Sequence, residues 1–172
     1  MIHLYCGDGK GKTTAAMGLA LRMAGREQAV VVAQFLKGGE SGERKALALL
    51  PGVTLLPVPE QVPFTVQMTR EERREECRRC HAMLKAAQER VEAGGLGLLV
   101  LDEVCDAVNA GLLSLEDLLT CLEACDKTGT EVVLTGRNPA KALVDRADYH
   151  TCMEKTRHPF DRGIPARLGV EV

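Results

Sequence analysis

The chain has 172 residues, of which 45% are hydrophobic and 27% charged, with a formal net charge of −2. That composition suits one globular domain over residues 1–172 with a sizeable core, and it excludes a disordered chain. Near-neutral charge, three Phe, two Tyr and no Trp leave neither the basic field nor the stacking platforms of a nucleic-acid binder.

Residues 2–6 form a short apolar run ending in glycine, as expected of a buried strand. The glycine-rich stretch after Cys6 interrupts any leader-like segment, and no apolar run is long enough to cross a bilayer. A cytoplasmic location without membrane association is expected. From Lys12 to about Ala24, apolar residues at Ala16, Leu19, Ala20 and Met23 have helical spacing, and Gly25 closes the helix. Residues 29–35 are nearly all apolar and β-branched, which suits a parallel strand covered on both faces. A turn over Gly38, Gly39, Glu40, Ser41 and Gly42 leads into a helical segment, 43–50, and then a third strand, 53–58. Pro57, Pro59 and Pro63 exclude regular structure after it.

Thr69 and Glu72 have the spacing of a capping box and open a long helix to about residue 93. Its charge run, 70–79, alternates in sign and predicts a solvated face. Cys77, Cys80 and His81 match the spacing of a haem-attachment motif. They sit in this helix without a second ligand pair, so they are read as helix residues. Seven cysteines and no leader predict reduced thiols. After Gly94 and Gly95 comes a strand, 98–101, ending at Asp102 and Glu103. A helix from Ser114 carries Leu115, Leu118, Leu119 and Leu122 on one face. A strand at 131–136, a helix at 140–146 and a last strand at 149–153 precede a tail of loop. The alternation predicts an α/β fold, a parallel sheet between layers of helix.

Gly7, Asp8, Gly9, Lys10, Gly11, Lys12, Thr13 and Thr14 lie between the first strand and the first helix, where a phosphate-binding loop belongs. Glycines let the backbone approach phosphate oxygens, and the N–H groups with the helix N-terminus supply positive potential. Lys12 would put a point charge on the phosphates, and Thr13 would offer its hydroxyl to Mg²⁺. Three residues separate Gly7 from Gly11, one fewer than in the ordinary loop, and Cys6 takes the place of the first glycine. Asp102 and Glu103, at a strand's carboxyl end, are the expected acidic partners of Mg²⁺, facing Thr13 directly or through water. Arg137, where a later strand leaves the sheet, reads as a phosphate or substrate contact or as a surface arginine on a helix-capping loop.

With these residues assembled, the sequence resembles the ATP:corrinoid adenosyltransferases that act on cob(I)yrinic acid a,c-diamide and cobalamin. The resemblance is carried by the short loop from Gly7 to Ala16, by Val32-Ala33-Gln34-Phe35-Leu36-Lys37-Gly38, and by Leu99-Val100-Leu101-Asp102-Glu103. Thr135-Gly136-Arg137 fits too, as does the tail with His158-Pro159-Phe160-Asp161, Gly163 and Ala166-Arg167-Leu168-Gly169. It implies a homodimer of a three-layer, RecA-like P-loop fold that binds ATP in the reverse sense. A Co(I) corrinoid would attack the ribose 5′ carbon and expel triphosphate, with a flavoprotein as reducing partner. Lys12, Thr13 and Glu103 would be the catalytic residues, with Glu103 serving the metal. Pro63-Phe64-Thr65-Val66 matches the segment that displaces the lower cobalt ligand, Phe64 as its aromatic and Val66 where a larger aromatic is frequent. The chain begins at the first strand, without the N-terminal helix that longer members lay over the site; the resemblance then implies either a corrinoid pocket left without that closure or one closed by another segment. Two alternatives remain from the residues: a P-loop kinase of a small molecule, and a nucleotide-dependent binding module.

Overall fold

The apolar runs become strands β1 (Ile2–Cys6), β2 (Ala29–Gln34), β3 (Val53–Leu55), β4 (Leu96–Asp102), β5 (Glu131–Gly136) and β6 (Tyr149–Cys152). In the computed structural model, which describes residues 1–39 and 41–170, they pair in the order β3-β2-β4-β5-β1-β6, every pair parallel. Glu40 of the predicted turn lies outside the described residues. The helices are α1 (Lys12–Ala24), α2 (Gly42–Leu47), α3 (Arg70–Glu92), α4 (Val104–Asn109), α5 (Leu115–Thr128) and α6 (Lys141–Arg146).

The sheet carries a hydrophobic cluster on each face, because side chains alternate along every strand. Val30, Val32, Leu98, Val100 and Val133 point to one side and pack on Ala16, Met17 and Ala20 of α1 and Leu47 of α2. Val31, Ala33, Leu99, Leu101, Val132 and Leu134 point to the other, under α3, α4, α5 and α6. The result is the three-layer α/β architecture expected of the sequence.

The ends of the elements follow local chemistry. Thr69 and Glu72 complete the capping box of α3, and the Ser114 hydroxyl accepts from the Asp117 N–H at the start of α5. The third strand stops at Leu55 rather than Val58, since Pro57 cannot donate to the ladder. The helix expected over 43–50 ends at Leu47, and the last strand ends at Cys152 rather than Met153. The charge run of α3 is not wholly solvated: Glu76 is 3% exposed and takes an ion pair from Arg79. It lies on the same stripe as Cys80, Leu84, Ala87 and Val91, which face the core. Among the described residues no helix is long and apolar enough to cross a membrane.

Candidate active site

Sheet order brings the carboxyl ends of β1, β5, β4 and β2 side by side, the edge where open α/β sheets bind ligands. After Cys6 the chain enters the loop through Gly7 at φ 109° and leaves it through Gly11 at φ 118°, in the left-handed region that suits glycine. Gly7 is also pressed against the segment that leaves β6: a Cβ there would collide with the Met153 carbonyl oxygen. The loop hangs on this segment. The Gly9 N–H donates to Met153 O at 2.7 Å, and the Lys155 N–H donates to Asp8 Oδ1 at 2.9 Å. That second bond holds the Asp8 carboxyl below its ordinary range, helped by the charges of Lys155 and Arg137.

Lys12 lies in the first turn of α1 and its ammonium folds back to donate to Gly9 O at 2.8 Å. Beside it, the Thr13 hydroxyl donates to Asp102 Oδ1 at 2.9 Å, across the intervening strand β5. Asp102 is fully buried, so its oxygens need hydrogen-bond partners. Thr135 Oγ1 donates to Oδ1 at 2.7 Å and Gln34 Nε2 to Oδ2 at 3.1 Å. The donation from Thr13 leaves that hydroxyl's lone pairs free for a cation.

Glu103 follows in the left-handed region at φ 59°, its N–H donating to Thr135 Oγ1 at 2.8 Å. A non-glycine residue held there costs about 1–3 kcal/mol, a strain typical of functional sites. Burial pushes its carboxyl up to about 7, the charges of Asp102 and Asp106 add to this, and Lys37 and Lys12 oppose it. Asp106 is likewise raised, first by burial. These acidic groups lie beside the loop that carries Lys12, whose charge lowers both Glu103 and Asp106 against their burial.

Lys12, Thr13, Asp102 and Glu103 are thus brought together with the loop from Gly7 to Thr14, where Lys10 and Thr14 stand exposed. Arg137 shares the edge. Its N–H donates to Asp106 Oδ2 at 3.1 Å, its carbonyl accepts from Asn109 Nδ2 at 2.8 Å, and its guanidinium is in solvent. Phe64 and Val66 are not part of this cluster. Phe64 precedes a 3₁₀ turn, Thr65–Gln67, and Val66 lies within it; they are 77% and 91% exposed. Their segment is nevertheless tied to the exit of β2, where the Gly39 N–H donates to Pro59 O at 2.8 Å.

Sequence reasoning assigned no role to Gln34, Arg44, Thr135 or Asp106. The signal for Gln34 was its amide in an otherwise apolar strand, 1% exposed here. Thr135 offered a similar one, a hydroxyl at the end of apolar β5. Arg44 and Asp106 gave none, because each reaches the site from a short helix whose placement sequence does not determine.

The whole chain, residues 1–172, matches the protein family described as ATP:corrinoid adenosyltransferase BtuR/CobO/CobP. It is 32% identical to the corrinoid adenosyltransferase CobA of Salmonella typhimurium strain LT2, over 99% of this chain and 85% of that one. Identity is 30% to the corrinoid adenosyltransferase of Escherichia coli K12, with the same shares covered. The Pseudomonas aeruginosa PAO1 enzyme of that name is 31% identical over 99% of this chain and 83% of its own length. A phosphate loop one residue short, its acidic partners across β5 and this match from end to end place the chain in the ATP:corrinoid adenosyltransferase family.

Proposed function

We propose that this protein, acting as one domain, transfers the 5′-deoxyadenosyl group of ATP to the Co(I) of a corrinoid in adenosylcobalamin biosynthesis or salvage. The acceptor is cob(I)yrinic acid a,c-diamide or cob(I)alamin, and triphosphate is released. The observation that carries this reading is the shortened loop from Gly7 to Thr14, found in a chain that matches the adenosyltransferase family over its full length.

The chemistry asks little of a general base. Co(I) supplies the electron pair for the new Co–C5′ bond, and the C5′–O bond breaks with its pair leaving on triphosphate. What needs stabilising is negative charge on the departing phosphates. The loop N–H groups, the N-terminus of α1 and the Lys12 ammonium meet that need, with Lys12 exchanging its bond to Gly9 O for a phosphate oxygen. Mg²⁺ would be held by Thr13, with Asp102 and Glu103 beside it, and would add positive charge to the leaving group. The residues fit such an ion: a hydroxyl with free lone pairs faces the buried Asp102, with Glu103 next to it in the chain. Among the described residues no three His, Cys, Asp or Glu form a metal site alone, and the ion would draw on phosphate and water as well.

Phe64 and Val66 offer exposed apolar surface to the corrinoid, and Arg137 offers its guanidinium to phosphate or to the corrinoid's amide groups. A homodimer in the cytoplasm, with a flavoprotein as the reductant that brings the corrinoid to Co(I), completes the proposal. Anaerobic incubation with ATP, Mg²⁺ and cob(I)alamin, followed by phosphorus NMR, tests it. Intact triphosphate is the expected product. ADP without alkylated corrinoid would point to a kinase or a nucleotide-driven binding module instead.

A further inference from the structure

The orientation of Asp102 decides where the Thr13 hydroxyl points, and Gln34 is the partner that can turn the wrong way. A primary amide presents either its NH₂ or its oxygen to a neighbour. An oxygen turned towards Asp102 would set two acceptors face to face in a buried site and leave the carboxylate short of a donor. Arg44 of α2 prevents this. Its Nη1 donates to Gln34 Oε1 at 3.1 Å, while its Nη2 donates to Leu56 O at 2.9 Å. A guanidinium has donors only and keeps its proton, so the Gln34 oxygen has to face Arg44 and the NH₂ has to face Asp102. The helix that carries Arg44 is itself fastened to the exit of β2, through the ion pair of Glu43 with Lys37.

We infer that Arg44 and Gln34 are positioning residues for metal-nucleotide binding, a relay from α2 through Gln34 and Asp102 to the Thr13 hydroxyl. The inference rests on the proposed function only in taking a divalent cation with ATP as the ligand. The relay is a chain of three hydrogen bonds: Arg44 binds Gln34, Gln34 binds Asp102, and Asp102 binds Thr13.

The test compares wild type, Arg44→Met, Gln34→Leu and the double variant. Mn²⁺ affinity is read by electron paramagnetic resonance with ATP present and corrinoid absent. Arg44→Met and Gln34→Leu should each weaken Mn²⁺ binding about ten-fold, the scale of lost outer-shell support at a metal site. The double variant should bind no more weakly than Gln34→Leu alone, since Arg44 acts through Gln34. Arg44→Lys keeps the charge but has one head for two oxygens, and should recover part of the loss. Circular dichroism checks folding; if Arg44→Met does not fold, Arg44→Lys takes its place in the cycle. Unchanged Mn²⁺ affinity in the Arg44 variant overturns the relay. So does a full further loss in the Gln34→Leu background, which would mean that Arg44 acts by holding Leu56. The function fails separately: a wild type that binds Mn²⁺ and ATP yet alkylates no corrinoid refutes adenosyl transfer while the affinity comparison still decides the relay.

Discussion

Asp102 has no access to solvent and answers to three donors on three different strands or helices: Thr13, Gln34 and Thr135. An acidic residue at the end of an apolar strand was readable from sequence as a partner of the phosphate loop. Its neighbours were not, because hydrogen bonds that join α1, β2, β4 and β5 depend on strand order, which periodicity does not encode. Lys12 was legible for the opposite reason, its role being local to a loop whose spacing is its signature. Replacing Lys12 with Ala should leave the fold intact and reduce adenosyl transfer about a hundred-fold or more, the cost of losing a donor to developing negative charge. Single-turnover kinetics check this, and a variant with wild-type turnover would remove Lys12 from the reacting end of ATP.

At the scale of elements, short signals read well where capping chemistry is explicit and poorly where a helix is brief. The six residues of α4 follow Glu103 directly and are too few to show a helical period, so this helix was not foreseen. It is nevertheless the element that presents Asp106 to the Arg137 N–H and Asn109 to the Arg137 carbonyl. By contrast, the N-terminus of α3 is specified by two residues. The Glu72 carboxyl is held below its ordinary value by bonds from the Thr69 N–H and hydroxyl. A carboxyl lowered on folding stabilises above its unfolded value, about 4.3, and loses that contribution as pH falls through the folded one. Thr69→Ala should therefore lower Tm by about 2–4 °C at pH 7. The difference from wild type should shrink below about pH 4. Calorimetry across that range checks both; a difference that does not depend on pH would leave Glu72 out of the cap. The charge run of the same helix misleads at Glu76, because sign alternation cannot tell which turn of a long helix faces the core.

Across the whole molecule, the central strands β2, β4 and β5 are buried on both faces and read as nearly continuous apolar runs, which is why the α/β class was legible. Order is a different matter. Sequence gives no sign that β5 enters between β1 and β4, or that β6 pairs with β1 and brings Met153 and Lys155, just after it, to the phosphate loop. This support is what the whole fold contributes to the site: a short loop braced from outside, opposite a buried carboxylate fixed from three directions. On the proposed reaction, the braced loop holds triphosphate as a leaving group while the ribose 5′ carbon meets cobalt. Carbon NMR of the product formed anaerobically from ATP labelled with ¹³C at the 5′ position and cob(I)alamin tests this step. The labelled carbon should become bonded to cobalt and return to a free nucleoside signal on illumination. A label that remains bonded to a phosphate ester oxygen, in ATP or ADP, would contradict it.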